Sequence, residues 1–229
     1  MRLVGHKDLA RAMERTCRRA GLPMAFSEGF HPKPRINIPA ALPLGMSAED
    51  EPLEIELSYP VPAEEVLSRL TAAAPPGLSL RRAALVPPGT RKAQPVAYAY
   101  ETPVRPDLAA NVRRRMDEIA AAQAWPLTRS DGKAVDVKAD LAELSVAGDD
   151  TGGGADGVLL RFRLVHRSAA STRPQDVVAA FDLTEASQRG HAIRRTQVQL
   201  ADETTSGTLL AARSTAPPPV TLPTGLNPK

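Results

Sequence analysis

Residues 53–86, LEIELSYPVPAEEVLSRLTAAAPPGLSLRRAALV, contain the pattern that decides the fold. Their first five residues alternate aliphatic side chains with Glu, which is the period of a half-exposed strand. Pro62 then occupies the first turn of an amphipathic helix that must end before Pro75. Apolar residues return at 78–86 and predict a second strand. The stretch therefore predicts the order strand, helix, strand.

Upstream of this stretch the sequence predicts one helix and two more strands. Apolar residues recur at helical spacing from Leu9 to Ala20, and they form one face of a 3.6-residue period. Residues 2–4 and 34–42 are predicted strands. Residues 1–88 thus have the order strand, helix, strand, strand, helix, strand, which is that of a ferredoxin-like (βαββαβ) domain.

The same order recurs after a linker at 89–95 that is rich in Pro, Gly and charge. A later helix is predicted to begin with a capping box formed by Thr172 and Gln175. We therefore predict an α+β chain with two tandem ferredoxin-like domains, the second at 96–202, and a disordered C-terminal tail at 203–229 that is rich in Thr, Ser and Pro. The predicted elements of the second domain are strands at 96–102, within 126–147, at 158–165 and at 191–200, and helices near 108–119 and 174–181.

Composition excludes several classes of function. Cys17 is the single cysteine, so this chain alone cannot form an intramolecular disulfide or a multi-cysteine zinc or iron–sulfur site. The nucleotide-binding pattern GxxxxGK[ST] and the metalloprotease pattern HExxH are missing, and the glycines at 152–157 precede a predicted strand and not a helix, unlike a phosphate-binding loop. No run of 18 apolar residues occurs. We expect a cytoplasmic protein with no cofactor, no bound metal and no membrane contact.

The segment 27–35, SEGFHPKPR, is the first candidate binding element. Gly29 can adopt a positive φ, and two prolines fix their own φ and extend the residues before them. Phe30 is expected to anchor the loop in the core. The result would be a rigid loop that holds His31, Lys33 and Arg35 outward, or an ordinary stiffened connection whose charges are solvated.

The polar face of the first helix is the second candidate. Four cations recur at i, i+4, i+8 and i+11, and such a stripe attracts phosphates when a second basic cluster lies nearby. The alternative is a solvated face that Asp8 and Glu14 partly neutralise. The predicted binding residues of the two elements are Lys7, Arg11, Arg15, Arg18, Glu28, Phe30, His31, Lys33 and Arg35.

No catalytic residue is predicted. In an alternative interpretation His6 or His31 acts as a general acid or base on RNA. A metal site built from these histidines with Asp8 and Glu28 matches no known ligand spacing.

Several strings together resemble the radical-SAM-associated (radical-SAM-linked) family of unknown function. They are Gly5-His6-Lys7-Asp8-Leu9, Arg18-Arg19-Ala20-Gly21-Leu22-Pro23, the loop at 27–35, Ala41-Leu42-Pro43-Leu44-Gly45 and Glu54-Ile55-Glu56-Leu57. Echoes continue to about residue 200 at 135–138, 173–174 and 195–196. Family members usually have a longer first strand, and serine often stands where this chain has Gly5.

In that family the domain is often fused to, or encoded beside, a radical SAM protein that has a cobalamin-binding-like region. Because only Cys17 is present, the resemblance implies that the iron–sulfur cluster lies on a separate chain. This protein would then be the accessory, non-catalytic partner, with RNA as a further candidate ligand. Two alternatives remain open. One is a metal-independent RNA-processing endonuclease that resembles CRISPR RNA endonucleases, and the other is a protein-interaction scaffold that docks through its acidic segment at 48–65.

Overall fold

The computed structural model describes residues 5–87, 89–148, 158–167, 171–184 and 193–201, and the backbone of 209–214. It is a mixed α+β structure, as the sequence predicted. The predicted strand at 2–4 lies outside the described residues, as does most of the predicted tail. The helices are α1 (His6–Arg19), α2 (Ala63–Ala73), α3 (Ala109–Ala121) and α4 (Pro174–Ala180). The strands are β1 (Ile36–Asn37), β2 (Ser47–Ala48), β3 (Leu53–Leu57), β4 (Arg82–Leu85), β5 (Pro95–Val104), β6 (Pro126–Thr128), β7 (Ala134–Asp136), β8 (Leu141–Ala147), β9 (Val158–Val165), β10 (Arg194–Leu200) and β11 (Leu209–Ser214).

The first sheet has the order β1-β3-β11-β4. The crossover through α2 leaves a gap between β3 and β4, and β11 fills this gap in parallel with both neighbours. Residues 209–214, which belong to the predicted tail at 203–229, form this strand. The predicted strand at 34–42 is reduced to β1, which pairs antiparallel with β3. Pro34 and Pro39 flank β1, and proline cannot donate to a strand ladder.

The core of the first half confirms the alternation on which the fold was predicted. Leu53, Ile55 and Leu57 are buried together with α1 and α2, while the two intervening Glu side chains take the other side of β3. Cys17 is fully buried in this cluster, and burial raises the pKa of its thiol to about 12. Cys17 is therefore a core residue and stays a thiol at neutral pH.

The second sheet has the order β2-β10-β5-β9-β8. The pairs β10–β5, β5–β9 and β9–β8 are antiparallel. Residues of α3 and α4, among them Val112, Ile119 and Val177, share one buried cluster with Tyr100 and Phe162 of this sheet. β2 comes from the first half of the chain and pairs in parallel with β10. The two halves are thus joined through a shared sheet.

The N-terminus of α4 differs from the predicted capping box. Arg173 is the N-cap residue, and its backbone N–H donates to the side chain of Asp176 at 2.7 Å. Thr172 lies one residue too early, and its N–H donates to Asp140 instead at 2.7 Å. The buried carboxylate of Asp176 also accepts from Nε of Arg129 at 2.9 Å. Both buried acids are therefore satisfied.

Arg195 holds the two halves together at a buried contact. It is only 2% exposed, its Nε donates to Glu51 at 2.7 Å, and its Nη atoms donate to the carbonyls of Ala40 and Ala41 at 3.0 and 3.2 Å. Its guanidinium also lies 5.1 Å from the ring centroid of Tyr98. Burial raises the pKa of Glu51, and the hydrogen bond from Arg195 opposes this shift. The echo of the family pattern at 195–196 thus has a structural role.

None of the helices in the described ranges is long and apolar enough to cross a lipid bilayer.

Candidate functional site

The candidate binding element is a hairpin loop, residues 27–33, called the binding loop below. Phe26 and Pro34 form a bridge at its base. The backbone N–H of Ser27 donates to the carbonyl of Lys33 at 2.8 Å, and the N–H of Lys33 donates to Oγ of Ser27 at 2.9 Å. These reciprocal bonds close the loop at both ends, so its tip is held on a defined base.

The tip of the binding loop is exposed to solvent. Gly29 has a φ of 111°, in the region that favours glycine because other residues are strained there. His31 and Lys33 are exposed, as the sequence predicted, and Glu28 is exposed beside them. The loop therefore presents an acid, an imidazole and a cation to solvent on a constrained backbone.

Phe30 was expected to anchor this loop in the core, and the structure contradicts that expectation. Its side chain is fully exposed, at 102% of the reference area. Met24 forms a bridge with Leu57 of β3 and is buried in the core, whereas Phe30 lies beyond the Phe26–Pro34 bridge at the tip of the hairpin. The chain leaves the sheet before it reaches Phe30. An aromatic side chain without any cover on a closed loop is an unusual surface feature.

The basic helix face, Lys7, Arg11, Arg15 and Arg18, is exposed along the whole of α1. Its C-terminal member, Arg18, connects it to the binding loop, since the guanidinium lies 5.4 Å from the ring centroid of Phe26. Phe26 was not among the binding residues predicted from the sequence, because its contact with Arg18 depends on the folded proximity of the helix end to the loop base. The cation–π contact makes the helix end and the loop base neighbours.

The charges of the basic helix face differ in how far they are neutralised. Arg18 pairs with Glu14 at 2.9 Å, and Arg11 pairs more loosely with Asp8 at 3.8 Å. Within the described part of the chain, Lys7, Arg15 and Lys33 form no such ion pair. These three cations are the ones available to an anionic ligand.

Arg35 does not belong to the surface formed by the basic helix face and the binding loop. It pairs with Glu56 at 3.0 Å, and Glu56 lies on the side of β3 opposite the buried Ile55 and Leu57. The helices cover the apolar side, so Arg35 lies on the opposite face of the sheet. There it lines a polar cleft of about 250 Å³ with Glu54 and Lys92.

The two candidate histidines lie in different parts of the fold. His6 is the first residue of α1, about 18 Å along the helix axis from Arg18, which contacts the loop base. His31 is at the tip of the binding loop. No contact in the structure joins them, and within the described ranges no group of three or more His, Cys, Asp or Glu residues is placed to hold a metal ion. The geometry offers no assembled acid–base pair.

The acidic segment at 48–65 is largely used inside the molecule. Glu49 pairs with Arg194 at 2.8 Å, Glu51 pairs with Arg195, and Glu56 pairs with Arg35. Its carboxylates therefore compensate arginines from other elements.

A model of a family of uncharacterized proteins conserved in bacteria, DUF2344, matches residues 1–174 of this chain. No curated protein and no solved structure matches it. The match includes the basic helix face, the binding loop and the first residue of α4. Because it covers more than half of the sequence, the chain belongs to the DUF2344 family of bacterial proteins.

Proposed function

We propose that this protein is a non-catalytic binding subunit that docks a radical SAM protein, encoded as a separate chain, through the binding loop. The observation that carries the proposal is the complete exposure of Phe30 on a loop whose two ends are hydrogen-bonded to each other. Burial of a phenyl side chain contributes about 1.5–3 kcal/mol. Exposed aromatic residues on constrained loops are the usual anchors of protein interfaces.

The nature of the partner follows from the sequence resemblance and from Cys17. An iron–sulfur cluster that cleaves S-adenosylmethionine needs several thiolates. The single cysteine of this chain is buried and its pKa is raised to about 12, so the cluster belongs on the other chain. The role left to this protein is to position the enzyme or its substrate.

The proposed architecture is a pair of ferredoxin-like domains at 1–88 and 96–202. The antiparallel order β10-β5-β9-β8, with α3 and α4 packed against it, supports this for the second half. In the first half, β3, α2 and β4 form the split crossover of such a domain. A fold of this kind hosts many functions, so the binding loop and not the fold supports the proposal.

The test is a calorimetric titration of this protein with a purified radical SAM protein from the same organism. Phe30→Ala should weaken the complex by about tenfold to a hundredfold, because a hot-spot phenylalanine contributes 1.5–3 kcal/mol. Leu85→Ala is the matched control, since Leu85 is a large exposed apolar residue on β4. Equal affinities of the Phe30→Ala and Leu85→Ala proteins would contradict the proposal.

RNA is the second candidate ligand, and the uncompensated cations Lys7, Arg15 and Lys33 favour it. Together with Phe30 they offer phosphate contacts and a surface on which a base can stack. Affinity for a single-stranded oligonucleotide should fall with salt by about 0.7 logarithmic units per neutralised phosphate. Arg15→Gln should reduce that slope, whereas Arg114→Gln, which removes a charge paired with Glu118, should not. Salt-independent affinity would exclude RNA.

The same assay addresses the nuclease alternative. If His6 or His31 were an acid or base, the RNA would be cleaved without metal, and replacement of the responsible histidine, His6→Ala or His31→Ala, would abolish cleavage. The structure provides no contact that favours this activity. The scaffold alternative is disfavoured because the acidic segment is already paired internally.

A further inference from the structure

A second concave site lies at the junction between the two halves, at the end of α1 that is remote from the binding loop. The cavity has a volume of about 280 Å³, just below the usual range of about 300–1,000 Å³ for small-molecule sites. Leu9 and Met13 of α1 line one side, and Ser47 of β2 lines another. We call it the junction pocket.

The junction pocket is walled mainly by aliphatic side chains. Ile38 and Leu42 approach from the segment before β2, and Leu78 and Leu80 approach from the segment before β4. These side chains come from separate elements and remain partly exposed. An apolar ligand body would therefore remove hydrocarbon from water on several sides at once.

The charged groups around the pocket determine whether it prefers an anionic or a cationic group of a ligand. Glu49 and Glu51 belong to the lining, but Arg194 and Arg195 compensate them from β10. Arg81 is the one basic residue of the lining. It is exposed and forms no ion pair within the described part of the chain. The uncompensated charge of the site is thus positive.

We propose that the junction pocket binds a small amphipathic carboxylate, with its hydrocarbon body between α1 and the segment before β4 and its carboxylate on Arg81. A guanidinium matches a carboxylate with two parallel hydrogen bonds. A cationic ligand would meet carboxylates that already have arginine partners and would be repelled by Arg81. This site is separate from the binding loop, so it does not depend on the function proposed above.

The experiment is an equilibrium titration of the full chain with octanoate, octanol and octylamine below their micellar concentrations. Octanoate should bind about tenfold more tightly than octanol, because one charge-assisted contact of about 1.4 kcal/mol distinguishes them. Octylamine should bind most weakly. Arg81→Gln should remove the difference between octanoate and octanol, while Arg114→Gln on α3 should preserve it.

A steric variant tests the position of the site. Ser79 lines the pocket and is exposed, so Ser79→Trp should fill the pocket and abolish octanoate binding. Ser68→Trp, on the exposed side of α2, is the matched control and should bind as the wild type does. Equal affinity for octanoate and octanol, no saturable binding of octanoate, or unchanged binding by the Ser79→Trp protein would each overturn the proposal. If Ser79→Trp fails to fold by circular dichroism, the Arg81→Gln comparison decides alone.

Discussion

Replacement of Arg195 should destabilise the junction between the two halves more than almost any other single change. Arg195→Met leaves the carboxylate of Glu51 partly buried without its partner, and the carbonyls of Ala40 and Ala41 lose their donors. Removal of one partner from a buried ion pair costs about 3–5 kcal/mol. Because Glu51 keeps 19% of its side chain exposed, we expect a loss of about 3 kcal/mol.

The loss is measured by urea unfolding and by the thermal midpoint. For a chain of this length about 1 kcal/mol corresponds to roughly 2–4 °C, so Arg195→Met should lower the midpoint by about 6–12 °C. The double change Arg195→Met/Glu51→Leu removes both charges and should recover most of the loss. The penalty of the single variant should also shrink near pH 4. Protonation of Glu51, whose pKa burial already raises, removes the uncompensated charge there.

Two results would refute this reasoning. If Arg195→Met loses less than about 1 kcal/mol, the contact is not a significant constraint between the halves. If the double variant is as unstable as the single one, the cost arises from the lost donors to the carbonyls of Ala40 and Ala41 and the lost packing against Tyr98, and not from the unpaired carboxylate.

Three further outcomes follow from other contacts. Cys17 should resist iodoacetamide at pH 8 in the native protein, as detected by mass spectrometry, because a pKa of about 12 instead of 9.0 leaves about a thousandfold less thiolate, and rapid native labelling would contradict its burial. Because the pKa of the thiol is raised in the folded state, its contribution to stability is complete below pH 9 and is lost as the pH rises toward 12. Asp176→Ala should cost about 2–4 kcal/mol in urea unfolding because Arg129 and the N–H of Arg173 both lose their acceptor, whereas the exposed Asp107→Ala serves as a control near zero. Phe30→Ala should change the free energy of unfolding by less than about 0.5 kcal/mol, and a larger loss would mean that the ring packs against the protein.

The elements that the sequence predicted well are those with a local signal. The alternation at 53–57 and the helical period after Pro62 depend only on neighbours in sequence, and both appear in the structure with nearly the expected bounds. The helical spacing of apolar residues in α1 likewise predicts that Met13 and Cys17 are buried, and both are. Such patterns suffice to predict a helix or a strand because the spacing of apolar residues along the sequence reflects which face of the element is buried.

The features that were missed depend on distant contacts. Nothing local in residues 209–214 indicates that the gap between β3 and β4 receives them. The exposure of Phe30 depends on where the chain leaves the sheet, and average burial statistics place an aromatic residue inside. Likewise, Arg35 and Lys33 are close in sequence, but strand alternation and the pair with Glu56 direct Arg35 to the other face. The exposure of the loop at 27–33 could therefore be predicted from the sequence, but the positions of Phe30 and Arg35 could not.

The place of β11 in the first sheet dictates an order of events during translation. β3 and β4 leave the ribosome early, but the strand that lies between them is made only after β10. Until then both inner edges of the nascent sheet expose unpaired backbone groups, which are templates for wrong pairing. The second half has all four of its antiparallel strands available before β11 emerges. It can therefore mature first and serve as the platform on which the N-terminal half is completed last.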